Sequence, residues 1–203
     1  MTVSHIEVLV EEPLMEAALR LILPRILDGI TFDIHPHQGK DALLARLSER
    51  LRGYSRWIPK DWRILVVVDR DAQDCRELKS ELDAVARAAG LITRTAASGG
   101  HFQVINRIAI EELEAWFFGD WSAVRAAYPR VKASIPDMSP YRFPDGIAGG
   151  TWEALERLLQ DAGYFKTGLR KIEAARSIAG HMDPSRNRSP SFRALRDALA
   201  QMA

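Results

Sequence analysis

The sequence has little cysteine, no long hydrophobic run and almost no net charge, and each scarcity argues against a class of protein. The single cysteine, Cys75, cannot form an internal disulfide and fits a reducing compartment, so we expect a cytoplasmic protein. The longest purely apolar run, Ile64–Val68, is about five residues, whereas a membrane-spanning helix needs roughly 20. The N-terminus has no basic segment followed by an apolar one, so no signal peptide is expected. A net charge of +1 means that any attraction to nucleic acid must come from a local patch.

Several short binding motifs are also missing. The chain has no Gly-x-x-x-x-Gly-Lys-Ser/Thr loop and no Gly-x-Gly-x-x-Gly turn, so ATPase and dinucleotide-binding interpretations lack the loop that holds phosphate. His35 and His37 lie close together, but no cysteine or further spaced histidine completes a zinc set around them. The sequence therefore does not predict a zinc site at this pair.

The patterns of apolar residues predict an α/β core followed by a helical appendage. The 203 residues, of which 47% are hydrophobic, suffice for one domain with a proper core. Strands are predicted at 5–11, 30–34, 63–69, 91–95 and 102–110, helices near 13–27, 40–52, 73–89 and 111–118, and a loop at 53–62. This alternation predicts a mainly parallel sheet flanked by helices over residues 1–119. Residues 120–203 are expected to form a loop-rich connector and a basic helical appendage packed on the core, with helices near 151–161, 167–179 and 191–202.

Two carboxylates follow the most hydrophobic strand pattern. The run Ile64–Val68 leads directly into Asp69-Arg70-Asp71, and such a run predicts a strand buried on both faces. Because alternate residues of a strand project to the same side, Asp69 and Asp71 are expected to converge at its carboxyl end, where open α/β sheets bind ligands. Converging carboxylates repel unless a cation or proton lies between them, and Mg²⁺ is the usual occupant of an all-oxygen site.

A second acidic pair, Glu11 and Glu12, follows the apolar strand pattern Ile6–Val10. Two buried strands that deliver acids to one edge of a sheet predict a divalent-metal site there. Simpler roles stay open for the same residues. Asp71 can cap the helix that follows it, and Glu11 and Glu12 can complement the dipole of the helix that begins at Pro13.

A third acidic group consists of Glu111, Glu112 and Glu114. One interpretation is the first turn of an amphipathic helix, where acids complement the helix dipole. The other is that a glutamate here completes a carboxylate cage or serves as a general base.

The segment from Tyr164 to Arg196 is strongly basic, with eight basic and two acidic side chains. Its basic side chains suit phosphate oxygens, and we expect nucleic acid to bind Lys166, Arg170, Lys171, Arg186, Arg188 and Arg193. Lys166 or Lys171 would neutralise charge that develops on a phosphate. A solvated helical face is the alternative.

These residues resemble the TOPRIM fold of topoisomerases, primases and OLD-type nucleases, in which a Glu after the first strand and an Asp-x-Asp after a later strand hold Mg²⁺ for phosphoryl transfer. More closely, the chain resembles a bacterial TOPRIM-like family of unknown function, DUF4276, whose members are often encoded beside an AAA or ABC-type ATPase in phage-defence loci. The family-like motifs span nearly the whole chain, at Leu9–Glu16, Val66–Asp71, Ile108–Phe117, Tyr164–Lys166, Ile178–Asp183 and Ser189–Phe192.

The resemblance implies a function and a set of site residues. By residue match, Glu11, Asp69 and Asp71 are the ligands of one or two Mg²⁺ (or Mn²⁺) ions, Glu16 matches the family's second Glu, and Glu112 and Glu114 are further metal candidates. The implied activity is a Mg²⁺-dependent nuclease, with Glu11, Asp69, Asp71 and Lys166 as catalytic residues. The implied setting is an anti-phage or toxin system in which the chain is the effector and works with a partner ATPase.

One departure from the family pattern keeps other functions open. Glu12 and Leu14 stand where relatives usually have Gly and Thr, so Glu12 either crowds the phosphate approach or adds a third negative charge. The first alternative to a nuclease is a non-catalytic TOPRIM scaffold or sensor subunit that binds the ATPase. The second is a phosphotransfer or phosphatase domain that uses the same acids on a small substrate. For a nuclease, DNA, RNA and tRNA all remain candidate substrates.

Overall fold

The computed structural model of the chain describes residues 2–71, 73–98 and 100–202. In these ranges four strands form one parallel sheet in the order β2-β1-β3-β4, with bounds β1 (His5–Val10), β2 (Thr31–Pro36), β3 (Trp62–Asp69) and β4 (Val104–Ala109). The interior strand β1 is buried throughout, and so is β3 apart from Trp62, as their apolar runs predict. The predicted α/β class, with a parallel sheet flanked by helices, is confirmed.

Helices cover both faces of the sheet. Within the described ranges they are α1 (Pro13–Ile22), α2 (Lys40–Trp57), α3 (Cys75–Ala88), α4 (Glu114–Gly119), α5 (Trp121–Ala127), α6 (Thr151–Asp161), α7 (Lys171–Ala179) and α8 (Pro190–Ala200). A search of those same ranges finds no helix with the length and apolar character needed to cross a bilayer.

Alternation along the strands divides the hydrophobic core into two layers. Ile6, Val8 and Val10 of β1 join a layer with α1 and apolar residues of α4 to α8, whereas Leu9 faces the layer covered by α2 and α3. The predicted boundary near residue 119 falls between α4 and α5, and both helices contribute to the first layer. The C-terminal helices thus share a core with the sheet.

Some element boundaries differ from the predictions for local reasons. The α2 helix continues to Trp57, so the predicted loop at 53–62 is wrong for its first half. Pro24 ends α1 early, and Leu23–Arg25 form a 3-10 turn because proline has no N–H to continue the α-helical pattern. The predicted strand at 91–95 is wrong, since of its residues only Thr93 forms a bridge, with Val104.

Candidate metal centre at the carboxyl edge of the sheet

Three carboxylates meet where the two central strands end. Glu11 and Glu12 directly follow β1, and Asp69 is the last residue of β3, which pairs with β1. Each side chain offers an oxygen, and the three oxygens lie within 4.8 Å of one another. The main-chain N–H of Asp69 also donates to Oε2 of Glu11 at 3.1 Å. We call Glu11, Glu12 and Asp69 the carboxylate cluster.

Ionisation of all three acids of the cluster is unfavourable, because Glu11 and Asp69 are buried and Glu12 is half-buried beside them. Burial raises the pKa of Glu11 to about 7, and Asp71 and Glu12 add to that rise, while the Asp69 amide and Lys40 oppose it. Burial, together with the charges of Glu11, Glu114 and Glu12, holds the pKa of Asp69 well above its usual value. At neutral pH the cluster therefore requires either protons or a cation.

One buried oxygen of the carboxylate cluster is suited to binding a cation. Within the part of the chain that the structure describes, Oδ1 of Asp69 is buried and has no hydrogen-bond partner. Such an atom costs free energy unless a donor or an ion satisfies it. Carboxylate oxygens are the ligands that Mg²⁺ and Mn²⁺ prefer, so the donor set suits either ion.

Glu114 extends the acidic site, whereas Glu112 supports a helix. Glu114 is only 3% exposed, and burial followed by the charge of Glu112 raises the pKa of Glu114 to about 7. Its charge in turn helps to raise the pKa of Asp69. Oε2 of Glu112 instead accepts hydrogen bonds from Oγ1 of Thr151 at 3.0 Å and from the N–H of Trp152 at 2.9 Å, at the start of α6. Of the two predicted further ligands, Glu114 adds its charge to the cluster, and Glu112 accepts hydrogen bonds at the start of α6.

The structure places Asp71 differently from its sequence prediction. Extended geometry ends at Asp69, and Asp71 has a left-handed backbone with φ of 52°, so the two side chains do not project as alternate strand residues would. The Asp71 carboxylate is about half exposed and lies 2.6 Å from Nζ of Lys40. Asp71 does not cap α3 either, because Asp74 accepts the N–H groups of Arg76 and Glu77. The capping alternative for Asp71 is therefore wrong.

Lys40 is a site residue that sequence reasoning missed. It is the first residue of α2, which follows β2, and its side chain reaches the carbonyl oxygen of Arg70 at 3.1 Å as well as Asp71. Its charge lowers the pKa of Glu11. A signal was present in the sequence, since a lysine just after a predicted parallel strand belongs at the same sheet edge as the acids.

Glu16 and Lys166, two further residues proposed from the sequence, lie on α1 and in a turn. The carboxylate of Glu16 accepts a hydrogen bond from Arg20 one turn along α1, at 2.7 Å. Lys166 is exposed in the turn between α6 and α7. Nζ of Lys171 lies 3.8 Å from the ring centroid of Trp152, and its charge lowers the pKa of Glu114.

The other predicted nucleic-acid-binding arginines are divided between structural and exposed positions. Arg186 donates to Oδ1 of the buried Asp120 at 2.8 Å, which raises the pKa of Arg186. Arg170 pairs with Glu173 at 3.1 Å. Arg188 and Arg193 are exposed and line a cavity of about 590 Å³. The structure thus distributes the basic segment over several surfaces.

Comparisons with known proteins give one family and one structural neighbour. The family model described as "Domain of unknown function (DUF4276)" matches residues 10–200. No curated protein matches the chain significantly. The C-terminal region of the OLD protein from Xanthomonas campestris pv. campestris is similar at a TM-score of 0.42 and 18% identity, over 98% of this chain and 95% of that one.

Proposed function

The chain belongs to the DUF4276 family, and we propose that it is a Mg²⁺- or Mn²⁺-dependent nuclease of the TOPRIM-like type that cleaves phosphodiester bonds at the carboxyl edge of its sheet. The observation that supports this function most is the carboxylate cluster with its unpartnered, buried Asp69 oxygen. A divalent ion would neutralise the negative charge of the acids at this edge of the parallel sheet, where α/β proteins bind ligands.

The residues of the cluster would have distinct roles. Glu11, Glu12 and Asp69 would hold the ion, and Asp71 would act through Lys40 rather than as a ligand. When bound, a divalent ion supplies charge that polarises a phosphate and lowers the pKa of a water molecule. Glu114 has a pKa of about 7, so it can accept a proton from an attacking water at neutral pH. Lys40 and Lys171 would attract and orient the phosphate through their charges.

A nuclease assay tests this function directly. Wild-type protein would be incubated with single-stranded DNA, duplex DNA, RNA and tRNA, each with Mg²⁺, with Mn²⁺ and with EDTA. We expect cleavage of at least one substrate only when a divalent ion is present. Glu11→Gln should abolish it, and the matched control Glu16→Gln should not, because Glu16 is engaged by Arg20. Cleavage by Glu11→Gln at the wild-type rate would refute the proposed site.

Glu12 favours a second candidate function, a non-catalytic scaffold or sensor subunit. Its carboxylate lies in the cluster, where relatives have glycine by the resemblance described above, and it adds a third negative charge beside Glu11 and Asp69. This charge either helps to hold an ion or repels the phosphate. Glu12→Gly distinguishes these two effects of the charge. A gain of cleavage supports the scaffold function for the native chain, and a loss of cleavage supports Glu12 as a ligand.

We also propose that the chain acts in the cytoplasm as the effector of an anti-phage or toxin system, together with an AAA or ABC-type ATPase. The support is the family resemblance and the lack of a phosphate-binding loop in this sequence. Gentle purification of the tagged protein from its native cells should recover a stoichiometric ATPase. Recovery of the chain alone would contradict the partnership and leave the nuclease proposal standing.

A further inference from the structure

A second cluster of metal-ligating side chains lies on the sheet away from the carboxylate cluster. It consists of His5 and Glu7 on β1 and Asp33 on β2, with one ligand atom from each within 4.8 Å of the others. Glu7 is directly opposite Asp33 in the parallel register. Because Glu7 precedes Glu11 by a stretch of about 13 Å in an extended chain, the two clusters are separate sites.

We propose that His5, Glu7 and Asp33 form a binding site for a transition-metal ion of the Zn²⁺ type. The decisive atom is Nε2 of His5, which is buried and has no hydrogen-bond partner among the described residues. It lies 3.7 Å from Oε1 of Glu7 and 3.7 Å from Oδ2 of Asp33. These separations exceed hydrogen-bond lengths but are near the roughly 3.4 Å between two ligands of a tetrahedral ion with bonds of about 2.1 Å.

The hydrogen bonds of Thr31 favour the tautomer of His5 in which Nδ1 carries the hydrogen. The Thr31 hydroxyl donates its only hydrogen to the carbonyl of Ser4 at 3.1 Å. In that orientation it accepts from Nδ1–H of His5, which lies 2.8 Å away. In the neutral ring, Nε2 then carries a lone pair that faces two carboxylates. Three electron-pair donors facing one another need a cation or a proton among them, and a metal-binding histidine commonly donates its other N–H in this way.

The surrounding residues hold the ligands in place. Oε2 of Glu7 accepts hydrogen bonds from Nε2 of His35 at 2.5 Å and from the hydroxyl of Tyr54 at 3.0 Å, which leaves Oε1 to face His5. The ring of Trp62 lies 4.0 Å from the His5 ring between centroids and limits its rotation. Metal-binding carboxylates and imidazoles are typically oriented by such outer hydrogen bonds.

The choice of ion follows from the donors. An imidazole nitrogen with two carboxylates suits Zn²⁺ and neighbouring transition ions, whereas Mg²⁺ prefers oxygen alone. Three protein ligands leave a fourth position, and the Asp33 side chain is 71% exposed, so this position is open to water. The ion would also link the edge strand β2 to β1, a function independent of the nuclease site.

Metal titration of the untagged full chain tests the proposal, with Mg²⁺ in excess to occupy the carboxylate cluster. Calorimetry with Zn²⁺ should give one site per chain, and Co²⁺ should give the visible absorption of a low-symmetry site with nitrogen ligation. Asp33→Asn should weaken Zn²⁺ binding by more than about 100-fold, since even outer-shell changes cost about 10- to 100-fold. Tyr54→Phe, which removes an outer hydrogen bond, should cost about tenfold.

The controls separate binding from folding. Asp33 is exposed, so Asp33→Asn should fold, as circular dichroism would show, even if Glu7→Gln or His5→Gln does not. His101→Ala, which removes an imidazole outside the cluster, should bind Zn²⁺ as the wild type does. The proposal is overturned if the folded wild type takes up no stoichiometric Zn²⁺, which would mean that His5 holds a proton instead. It is equally overturned if Asp33→Asn binds Zn²⁺ with unchanged affinity.

Discussion

The main-chain N–H of Asp69 donates to Oε2 of Glu11 at 3.1 Å, and this bond joins the ends of the two central strands through a side chain. The bond favours the ionised form of Glu11, whereas burial favours the neutral form more strongly, so the pKa of Glu11 lies at about 7. A cation that binds the cluster would oppose this rise, because it favours the ionised form of Glu11.

Asp69→Asn should abolish metal-dependent cleavage without unfolding the protein. Asparagine keeps the shape of the side chain but removes a charge, so a divalent ion loses one of its few anionic ligands, and a loss of more than about 100-fold is expected. In EDTA the variant should be at least as stable as the wild type, because asparagine removes the two effects that raise the pKa of Asp69, namely the burial of an ionisable carboxyl group and the repulsion from neighbouring acids. Cleavage rates and melting temperatures measured in parallel check both statements. A variant with wild-type activity would place the site elsewhere.

The metal-free protein should become less stable as the pH rises through the range between 4.5 and about 7. The pKa values of Glu11 and Glu114 are raised from 4.5 to about 7, so between these values the folded state binds protons that the unfolded state has released. Melting temperatures in EDTA should thus be higher near pH 5.5 than near pH 8.

The controls for this pH dependence use the same acids. Glu114→Gln should flatten the profile, and Glu16→Gln should leave it unchanged. Carboxylates with a lowered pKa, such as Asp74, do not interfere, because the stability they confer is lost only below the usual value of 3.8. A melting temperature that rises between pH 5.5 and pH 8 would contradict the prediction.

Lys40→Met should weaken the binding of nucleic acid more than a comparable change far from the acids. If Lys40 helps to hold a phosphate, its loss should lower the slope of log Kd against log salt concentration by about 1. Fluorescence anisotropy over a salt series, with Ca²⁺ in place of Mg²⁺ to limit cleavage, measures this slope. Lys60→Met is the control, because Lys60 precedes β3 and so lies at the opposite end of that strand. Equal slopes for the two variants would show that Lys40 does not contact a phosphate of the nucleic acid.

Glu112→Ala should lower stability without removing metal binding. Its carboxylate accepts two hydrogen bonds at the start of α6, and the loss of such a cap costs about 1 kcal/mol, or roughly 2–4 °C in melting temperature for a chain of this size. Calorimetric Mn²⁺ affinity should change little. Glu16→Ala, which removes only a helical ion pair, should cost about 0.5 kcal/mol or less. A loss of Mn²⁺ binding in Glu112→Ala would make Glu112 a ligand after all.

The order of strands and helices in the core was predictable because burial leaves a regular pattern of apolar residues. The strand that carries Ile64–Val68 and the acids after it were visible in this way, and so was their common edge. The left-handed backbone of Asp71 was not predictable, because no pattern in the sequence marks the change of φ that ends the alternation of side chains after Asp69.

Contacts that depend on the register between strands were beyond prediction. The sequence places His35 beside His37, but the structure directs them to different partners: His35 contacts Glu7, and His37 contacts the carbonyl of Val10. The approach of His5 to Asp33 depends on how β1 and β2 align, which neither strand encodes by itself. For Lys40 the sequence indicates the sheet edge at which the residue lies, but not its contact with Asp71, which joins distant segments of the chain.

The shared first layer of the core has a consequence for how the protein is made. Phe192 and Leu195, near the end of the chain, are fully buried in the same layer as Ile6 and Val8, near its beginning. A nascent chain can pair its strands, but it cannot complete the first layer of the core until α8 has left the ribosome. Until then the apolar surface is open to chaperones or to aggregation, and a prematurely terminated chain would remain in that state. Completion of the first layer thus depends on a helix that is far along the chain from β1.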